Sequence, residues 1–467
     1  MNKKPFRSIS PYLLVLLSFL AIILIGSFLL CLPYARTAGN WGNYVDALFT
    51  ATSATCVTGL SPYSNGIGNE FTFFGQIVTL LMIQIGGLGF ITVLTFFITI
   101  FTKLQFKDRY FLSQAVNSTN VADVGKFVRK IILISFTIEL VGFVLGIPVF
   151  LNLQKNLQAQ GQSFSIWRVL WNSLFISVSM FNNAGFDIFG GTSLIREIGN
   201  PFMDNLDTWA WYYMCSYIMF LIVAGGLSFL VIIEVFSFKK SPKQYRAFTK
   251  IVLIMTPILL LGGFGLFLLT DGIKSTNTMD SFQAIFQSVT CRTAGACIYD
   301  QSHLSVAGKI TSCILMFIGG SPLSTAGGIK VTTIFLIVLA VFCFLRGKKV
   351  TAFKRTYSQN MILKAMSLLI VAITLLIISG VIITTIESNN PLATQENVVF
   401  EIFSAFGTVG LSASLTPTLT IGSKLILCLL MFLGRLGPMT LFSIFQKNMN
   451  KQEELHYAYL EEDFLIG

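Results

Sequence analysis

The chain has 467 residues, of which 54% are hydrophobic and only 11% are charged. This balance excludes soluble multidomain, disordered, fibrous and disulfide-rich secreted proteins, and it is typical of a polytopic membrane protein. The formal net charge of +11 is therefore informative through the positions of the charges rather than through its total.

Eight apolar runs follow one another along the chain, and each is long enough for a bilayer core, which takes about 20 helical residues. They lie near 12–32, 73–101, 131–150, 209–236, 251–270, 309–345, 362–386 and 421–445. Lys3, Lys4 and Arg7 before the first run imitate a signal peptide, but the run is too long and lacks an A-x-A cleavage site. The sequence thus predicts an all-α polytopic fold with eight transmembrane helices.

The charges in the gaps between these runs alternate in sign. Most of the 32 Lys and Arg residues lie in the N-terminus, the C-terminal tail and the gaps after the second, fourth and sixth runs. The other gaps hold 6 basic and 12 acidic residues. Because Lys and Arg are retained in the cytoplasm, we expect a cell-membrane protein with both termini inside. The acidic outer face favours cations, so the basic total does not indicate nucleic acid.

Each acidic outer gap contains a Phe-rich stretch that ends in small residues and a glycine. These stretches run from Phe49 to Gly59, Phe175 to Gly185, Phe286 to Gly295 and Phe403 to Gly410. The glycines recur at intervals of roughly 110 to 125 residues, which indicates four copies of one unit, helix, re-entrant loop, helix, around a pseudo-fourfold axis. The predicted repeats are 1–102, 103–238, 239–346 and 347–467.

The re-entrant stretches predict a cation pore. Irregular backbone at membrane depth must be buried in protein or line a water-filled path, and glycine lets carbonyl groups point inward at a cation. A single such glycine would more simply be a helix-packing residue, but four in register favour a potassium filter. The predicted filter residues are Val57, Thr58, Gly59, Asn183, Ala184, Gly185, Thr293, Ala294, Gly295, Thr408, Val409 and Gly410.

A paired-glycine motif in the helix after each re-entrant stretch supports the same alignment of the four repeats. Gly86-Gly87, Gly225-Gly226, Gly319-Gly320 and Gly434-Arg435 occupy corresponding places. The third copy is followed by an insertion that breaks its helix, and the fourth carries an arginine. The alternatives are a gate below the filter and a structural kink. The predicted gate residues are Gly319, Gly320, Ser321, Pro322, Ser324, Thr325, Ala326, Gly327, Gly328 and Arg435. Since an arginine in a spanning segment is costly, we expect Arg435 to hydrogen-bond carbonyl groups of the inserted loop.

Four further features carry weaker hypotheses. Glu139 is an intramembrane carboxylate that could bind a cation, whereas Glu234 lies close enough to the inner end of its helix to snorkel. Arg292 precedes the third filter segment, where Asp300 is a possible partner. Cys291 and Cys297 flank that segment and could pair if oxidised, although free thiols are the simpler expectation.

Other classes of function fit the sequence less well. Two intramembrane acids without a membrane histidine offer little for an enzyme, and no Cys/His spacing indicates a metal site. Walker and Rossmann fingerprints are absent, so any nucleotide control must come from a separate subunit. An alternating-access symporter is the nearer alternative. Such transporters commonly have inverted repeats, whereas these four repeats share one orientation.

The filter glycines, the interruption from Gly319 to Lys330 and Arg435 together resemble the Trk/Ktr/HKT superfamily, most closely its KtrB-type membrane subunits. The similarity spans the chain, including the tail from Glu461 to Gly467. It implies potassium uptake coupled to or stimulated by sodium, without a covalent cofactor. It also implies a homodimer with one pore per subunit and a cytosolic ring of nucleotide-binding RCK (KtrA-like) subunits. Some plant members favour sodium and carry serine at the position of Gly59, so glycine here implies potassium. A sodium-permeable pore is the alternative.

Overall fold

The computed structural model describes residues 11–89, 124–160, 163–190, 193–195, 203–237, 242–273 and 278–437. This part of the chain is mostly helical, with one short hairpin formed by β1 (Thr351–Ala352) and β2 (Arg355–Thr356). Its α-helices are α1 (Pro11–Cys31), α2 (Tyr44–Thr55), α3 (Gly66–Glu70), α4 (Phe73–Leu88), α5 (Val124–Ala159), α6 (Ile166–Phe181), α7 (Thr208–Gly226), α8 (Phe229–Phe236), α9 (Ala247–Thr270), α10 (Ser281–Thr290), α11 (Val306–Phe317), α12 (Val331–Leu345), α13 (Gln359–Ile386), α14 (Gln395–Gly407) and α15 (Ile421–Leu436).

Several of these helices are strongly apolar. Four helices in the described ranges are long and apolar enough to cross a membrane: Gly125–Ala159, Thr208–Gly226, Ala247–Thr270 and Gln359–Ile386. Shorter apolar helices include Phe73–Leu88 and Val306–Phe317. The ends of two predicted runs, residues 90–101 and 438–445, lie outside the described residues, as does the C-terminal tail. The chain is therefore a multi-pass membrane protein, and the count of eight spans stays a prediction.

Two predicted runs are each divided between two helices. The run 309–345 is interrupted between α11 and α12, as its glycines and Pro322 predict. The run 209–236 was expected to be continuous, but α7 ends at Gly226 and α8 begins at Phe229. Ser228 caps α8 because its side chain accepts a hydrogen bond from the backbone amide of Leu230. This second break is therefore a built helix boundary inside an apolar stretch.

Short helices α2, α6, α10 and α14 each pack against the long helix that precedes them, which is α1, α5, α9 or α13 respectively. Each short helix buries at least one phenylalanine completely, and these are Phe49, Phe175, Phe286 and Phe400. Polar N-caps start three of the helices: Asn43 for α2, Asp280 for α10 and Thr394 for α14. The polar start and buried interior direct each short helix into the protein, where it ends at a glycine-containing segment.

Candidate ion-conduction site

The segments that follow the four short helices share one unusual backbone pattern. Two residues in each segment have positive φ angles, and the residue between them does not. The φ values are 58° and 101° at Val57 and Gly59, 59° and 67° at Asn183 and Gly185, 72° and 73° at Thr293 and Gly295, and 51° and 95° at Thr408 and Gly410. In an extended chain, successive carbonyl groups alternate in direction. Left-handed residues at every second position allow successive carbonyl oxygens to face one side.

The four segments meet in a closed ring. A Cβ atom added to Gly59 would lie 2.5 Å from the carbonyl oxygen of Ala184 in the second segment. The same construction places a Cβ of Gly185 2.5 Å from Ala294 O, of Gly295 2.2 Å from Val409 O, and of Gly410 2.1 Å from Thr58 O. Each glycine thus abuts the next segment in chain order, and the fourth abuts the first. Glycine is required both by the positive φ and by the close approach of the backbones.

Hydroxyl side chains of the short helices hold the segments in place. Ser53 and Ser404, each six residues before a ring glycine, accept hydrogen bonds from the amides of Gly59 and Gly410 at 3.0 and 3.1 Å. Ser179, at the same distance before Gly185, donates to Phe186 O at 2.6 Å. In the third segment Thr290 donates to Ala296 O at 2.6 Å. Sequence reasoning missed these residues, although the serine spacing before three of the glycines was a readable signal.

A cavity of about 340 Å³ lies against the ring and is lined by all four glycines. Asp187 and Asp300 also line it, and none of the described residues around it is a lysine or an arginine. Burial raises the pKa of Asp187 to about 6, opposed by hydrogen bonds from the Ser193 hydroxyl and the Phe189 amide. At neutral pH the cavity is therefore acidic and attracts cations. We call this cavity the vestibule.

The loop of residues 318–330, between α11 and α12, lies directly against the ring. A Cβ added to Gly327 would lie 1.9 Å from the hydroxyl oxygen of Thr408. The hydroxyls of Thr58, Thr293 and Thr408 are buried and have no hydrogen-bond partner in the described part of the chain. The residues predicted for the filter and those predicted for the gate are therefore brought together in space.

This loop is docked onto the break between α7 and α8. The amides of Ser321 and Thr325 donate to Gly226 O and Gly225 O, both at 3.2 Å, and the Thr325 hydroxyl donates to Gly225 O at 2.9 Å. In return, the Phe229 amide donates to Leu323 O at 3.0 Å. Carbonyls at the end of a helix lack partners within the helix, so the loop satisfies the end of α7. The unpredicted break in the run 209–236 is thus part of the loop's binding surface.

Arg435 holds the loop from another direction, and Lys330, the last residue of the loop, bonds within it. Arg435 donates through Nη1 to Thr325 O and through Nη2 to Gly86 O and Gly87 O, the last at 3.0 Å. Lys330 Nζ donates to Ala326 O at 2.6 Å. Arg435 therefore connects the loop to the end of α4, and the carbonyl partners on α4 were not foreseen from the sequence.

Close packing explains the paired-glycine motif. A Cβ on Gly86, Gly225 or Gly434 would lie 2.0, 1.8 or 1.9 Å from the carbonyl oxygen of Thr55, Phe181 or Phe406. These carbonyls belong to the residue four positions before the ring glycine in each case. In the third unit Gly319 instead approaches Gly327 O of the loop, at 2.1 Å. The first glycine of the motif thus lets a helix lie directly against the end of the short helix.

Comparison with known proteins identifies the family of this chain. A family model described as TrkH, cation transport protein, matches residues 1–457. The chain belongs to the TrkH family of cation transport proteins. Membership confirms the resemblance predicted from the sequence and places the chain among transporters rather than enzymes.

Relatives within the TrkH family align along nearly their whole length. The chain is 36% identical to the potassium/sodium uptake protein NtpJ of Enterococcus hirae, over 100% of this chain and 99% of that protein. It is 35% identical to the Ktr system potassium uptake protein B of Bacillus subtilis, over 96% and 95% of the two chains. The crystal structure of the potassium transporter TrkH from Vibrio parahaemolyticus has a similar fold, with a TM-score of 0.68 at 16% identity, covering 95% of this chain and 86% of that one.

Glu139 and Glu234, the two acids predicted to lie in spanning segments, do not line the vestibule. Glu139 is buried on α5 and accepts hydrogen bonds from Gln84 Nε2 at 2.8 Å and from Asn182 Nδ2 at 3.1 Å, behind the second segment. Glu234, near the end of α8, accepts from the Arg246 amide at 3.1 Å and from the Thr249 hydroxyl. Both carboxylates therefore have local structural partners.

Arg292 and Asp300 do not pair, contrary to the suggested partnership. Arg292 is buried beside Gly226 and Gly320, whereas Asp300 lines the vestibule and accepts from the Ser302 amide at 2.8 Å. No ion pair of Arg292 is formed with the described residues. Cys291 and Cys297 are free thiols, so the disulfide alternative is not realised.

Proposed function

We propose that this chain mediates potassium uptake across the cytoplasmic membrane through a gated pore that contains a selectivity filter. The closed ring of four segments with alternating backbone handedness is the observation that carries this proposal. The Bacillus subtilis relative is named a potassium uptake protein and the Enterococcus hirae relative a potassium/sodium uptake protein, which supports potassium as a transported ion.

In this mechanism, potassium enters the acidic vestibule and loses hydration water at the ring. Backbone carbonyl oxygens of the four segments replace that water. The short helices end at the ring, so their partially negative C-terminal ends face the cation. The proposed filter residues are Val57, Thr58, Gly59, Asn183, Ala184, Gly185, Thr293, Ala294, Gly295, Thr408, Val409 and Gly410.

The loop of residues 318–330 is the proposed gate. Gly327 of the loop contacts Thr408, the first residue of the fourth segment, and the positively charged Arg435 donates to the loop at Thr325. A loop held there obstructs the path and adds an electrostatic barrier to cations. Transport then requires the loop to leave the ends of α7 and α4.

The wider arrangement is proposed from the sequence pattern and the family. It comprises eight spanning helices in four repeats with re-entrant loops, both termini in the cytoplasm, and a homodimer. Sodium stimulates flux, and a cytosolic RCK subunit regulates it. The competing functions are a sodium-permeable pore and an alternating-access cation symporter. Measurements of potassium and sodium flux distinguish them.

Serine substitutions of the ring glycines test the filter. Gly59, Gly185, Gly295 and Gly410 are each changed to Ser, and the chain is assayed in a host lacking potassium uptake and in proteoliposomes for potassium and sodium flux. We expect growth rescue by the unaltered chain and a reduced potassium preference in each variant.

Gly262→Ser is the matched control, because Gly262 lies on α9 with no atom within 4 Å of an added Cβ and its φ is not positive. It should transport like the unaltered chain. If the four ring variants also keep their ion preference, the filter assignment is wrong. Saturable, coupled uptake of both ions without channel-like conductance would favour the symporter.

A further inference from the structure

Glu401 is a buried carboxylate that the conduction mechanism does not use. It lies on α14, nine residues before Gly410, and only 1% of its surface is exposed. The corresponding residues of the other three units are Thr50, Ile176 and Phe286, none of which is acidic. The fourth unit therefore has a charge-bearing group behind its ring segment that the other units lack at this place.

The Glu401 carboxylate binds the loop that follows the fourth ring segment. Its Oε1 accepts a hydrogen bond from the Ser412 hydroxyl, and its Oε2 accepts one from the Thr416 hydroxyl at 2.8 Å. The backbone amides of Ala413 and Thr416 also donate to it. The hydroxyls of Ser412 and Thr416 are themselves 3.2 Å apart. One side chain thus fixes the backbone and the hydroxyls of residues 412–416.

This loop is continuous with both the ring and the vestibule. Ser412 lies two residues after Gly410 and lines the vestibule together with Leu411 and Ser414. The amide of Gly410 is held from the other side by Ser404, which is on the same helix as Glu401. α14 therefore binds the segment at two places: Ser404 bonds Gly410 in the ring, and Glu401 bonds the loop that follows it.

The hydrogen bonds favour the ionised carboxylate. All four groups facing Glu401 can donate, and two of them are backbone amides, which cannot turn round to accept. Within the described residues, no lysine or arginine forms an ion pair with Glu401. Burial away from water opposes the charge, whereas these donors favour it. A cation held in the ring would be a further favourable partner.

We propose that Glu401 is a positioning residue that sets the ion discrimination of the fourth ring segment by fixing the loop through Ser412. This inference rests on the proposed filter function. When the carboxylate is lost, the loop is released, the carbonyl groups at Gly410 are held less firmly, and the ring adapts more easily to the smaller sodium ion.

Glu401→Gln tests this role with little change in volume. The amide nitrogen cannot accept a hydrogen bond, so any backbone amide of residues 412–416 that faces it loses its partner. We expect the potassium-to-sodium flux ratio in proteoliposomes to fall by about tenfold, the change that corresponds to one hydrogen bond to a charged group. Ser412→Ala should reproduce the change, and the double variant should add little, because both act through one contact.

Glu387→Gln is the matched control. Glu387 is 3% exposed, accepts hydrogen bonds from the amide and hydroxyl of Thr420 at 2.8 and 2.6 Å, and lies at the end of α13 away from the vestibule lining. Its substitution removes a comparable buried network, so it should affect stability but leave the flux ratio unchanged. Glu401→Asp, which keeps the charge, should recover part of the ratio.

Gly410→Ser in the same assay separates the two proposals. If Gly410→Ser alters the flux ratio while Glu401→Gln and Ser412→Ala leave it unchanged, the filter stands and the positioning role is wrong. If Gly410→Ser also leaves the ratio unchanged, the filter assignment itself fails. An equal loss of ratio in Glu387→Gln would mean that general destabilisation, not positioning, explains the result.

Discussion

The ring and the loop below it are built by opposite means. The ring consists of four segments with the same alternating backbone handedness, closed by glycine against carbonyl at each junction. Within the described residues a loop of this kind lies in the third unit, where Arg435 donates to it and its own Thr325 donates to the end of α7. A repeated backbone device suits a fixed cage for an ion, whereas a single docked loop can be released without disturbing that cage.

Substitution of a ring glycine should have the largest effect. In Gly295→Ala the added methyl group meets Val409 O at 2.2 Å, and the residue must keep a φ of 73°. Left-handed backbone costs a non-glycine residue about 1–2 kcal/mol before the overlap is counted, so we expect potassium uptake to fall by about tenfold or more. Uptake by the variant in a potassium-uptake-deficient host measures this.

Gly265→Ala provides the comparison for that variant. Gly265 lies in α9, with no atom near an added Cβ and no positive φ. Uptake should stay close to that of the unaltered chain. Equal transport by Gly295→Ala and Gly265→Ala would contradict the idea that the ring is a rigid backbone cage.

Release of the loop should have the next largest effect. Arg435→Ala removes the hydrogen bonds to Thr325, Gly86 and Gly87 and a positive charge beside the path. Bonds from a charged group contribute about 1.5–3 kcal/mol each, so basal cation flux should rise by about tenfold or more. The ion preference should not change, since the ring is untouched.

Arg435→Lys sharpens this comparison because it keeps the charge but loses the two-pronged donor geometry. An intermediate flux is expected. Flux and regulation that are unchanged in Arg435→Ala would rule out the proposed role of Arg435 in the gate.

The sequence was most informative where backbone geometry dictates the residue. Gly59, Gly185, Gly295 and Gly410 could be found from spacing alone, because positive φ and the close approach of the next segment favour glycine at each position. The membrane class and the family followed from composition and from the same glycines. The predicted run 309–345 is also interrupted around Pro322, where its glycines and proline predict a break.

Apart from the bond of Arg435 to the loop, features that depend on tertiary contacts were not predicted from the sequence. The break after Gly226 lies in a continuous apolar run, and its cause is a loop about 100 residues further along the chain that binds Gly225 and Gly226. Arg292 and Asp300 are near in sequence and opposite in charge. A ring segment nevertheless separates them, so Arg292 lines an interior cavity and Asp300 lines the vestibule. Sequence proximity could not reveal that separation.

Acidification of the vestibule should have the smallest effect and should separate attraction from selection. The pKa of Asp187 is raised to about 6 by burial, so its negative charge is present at pH 7 and is mostly lost at pH 5, whereas an ordinary aspartate stays charged until about pH 4. Loss of one charge near the path weakens cation attraction, and potassium uptake at low external concentration should fall by about two- to fivefold. Asp187→Asn should therefore show lower uptake at pH 7 and a weaker pH dependence, with an unaltered potassium-to-sodium ratio. A changed ratio would show that the vestibule takes part in selection, and the division between an attracting vestibule and a selecting ring would no longer hold.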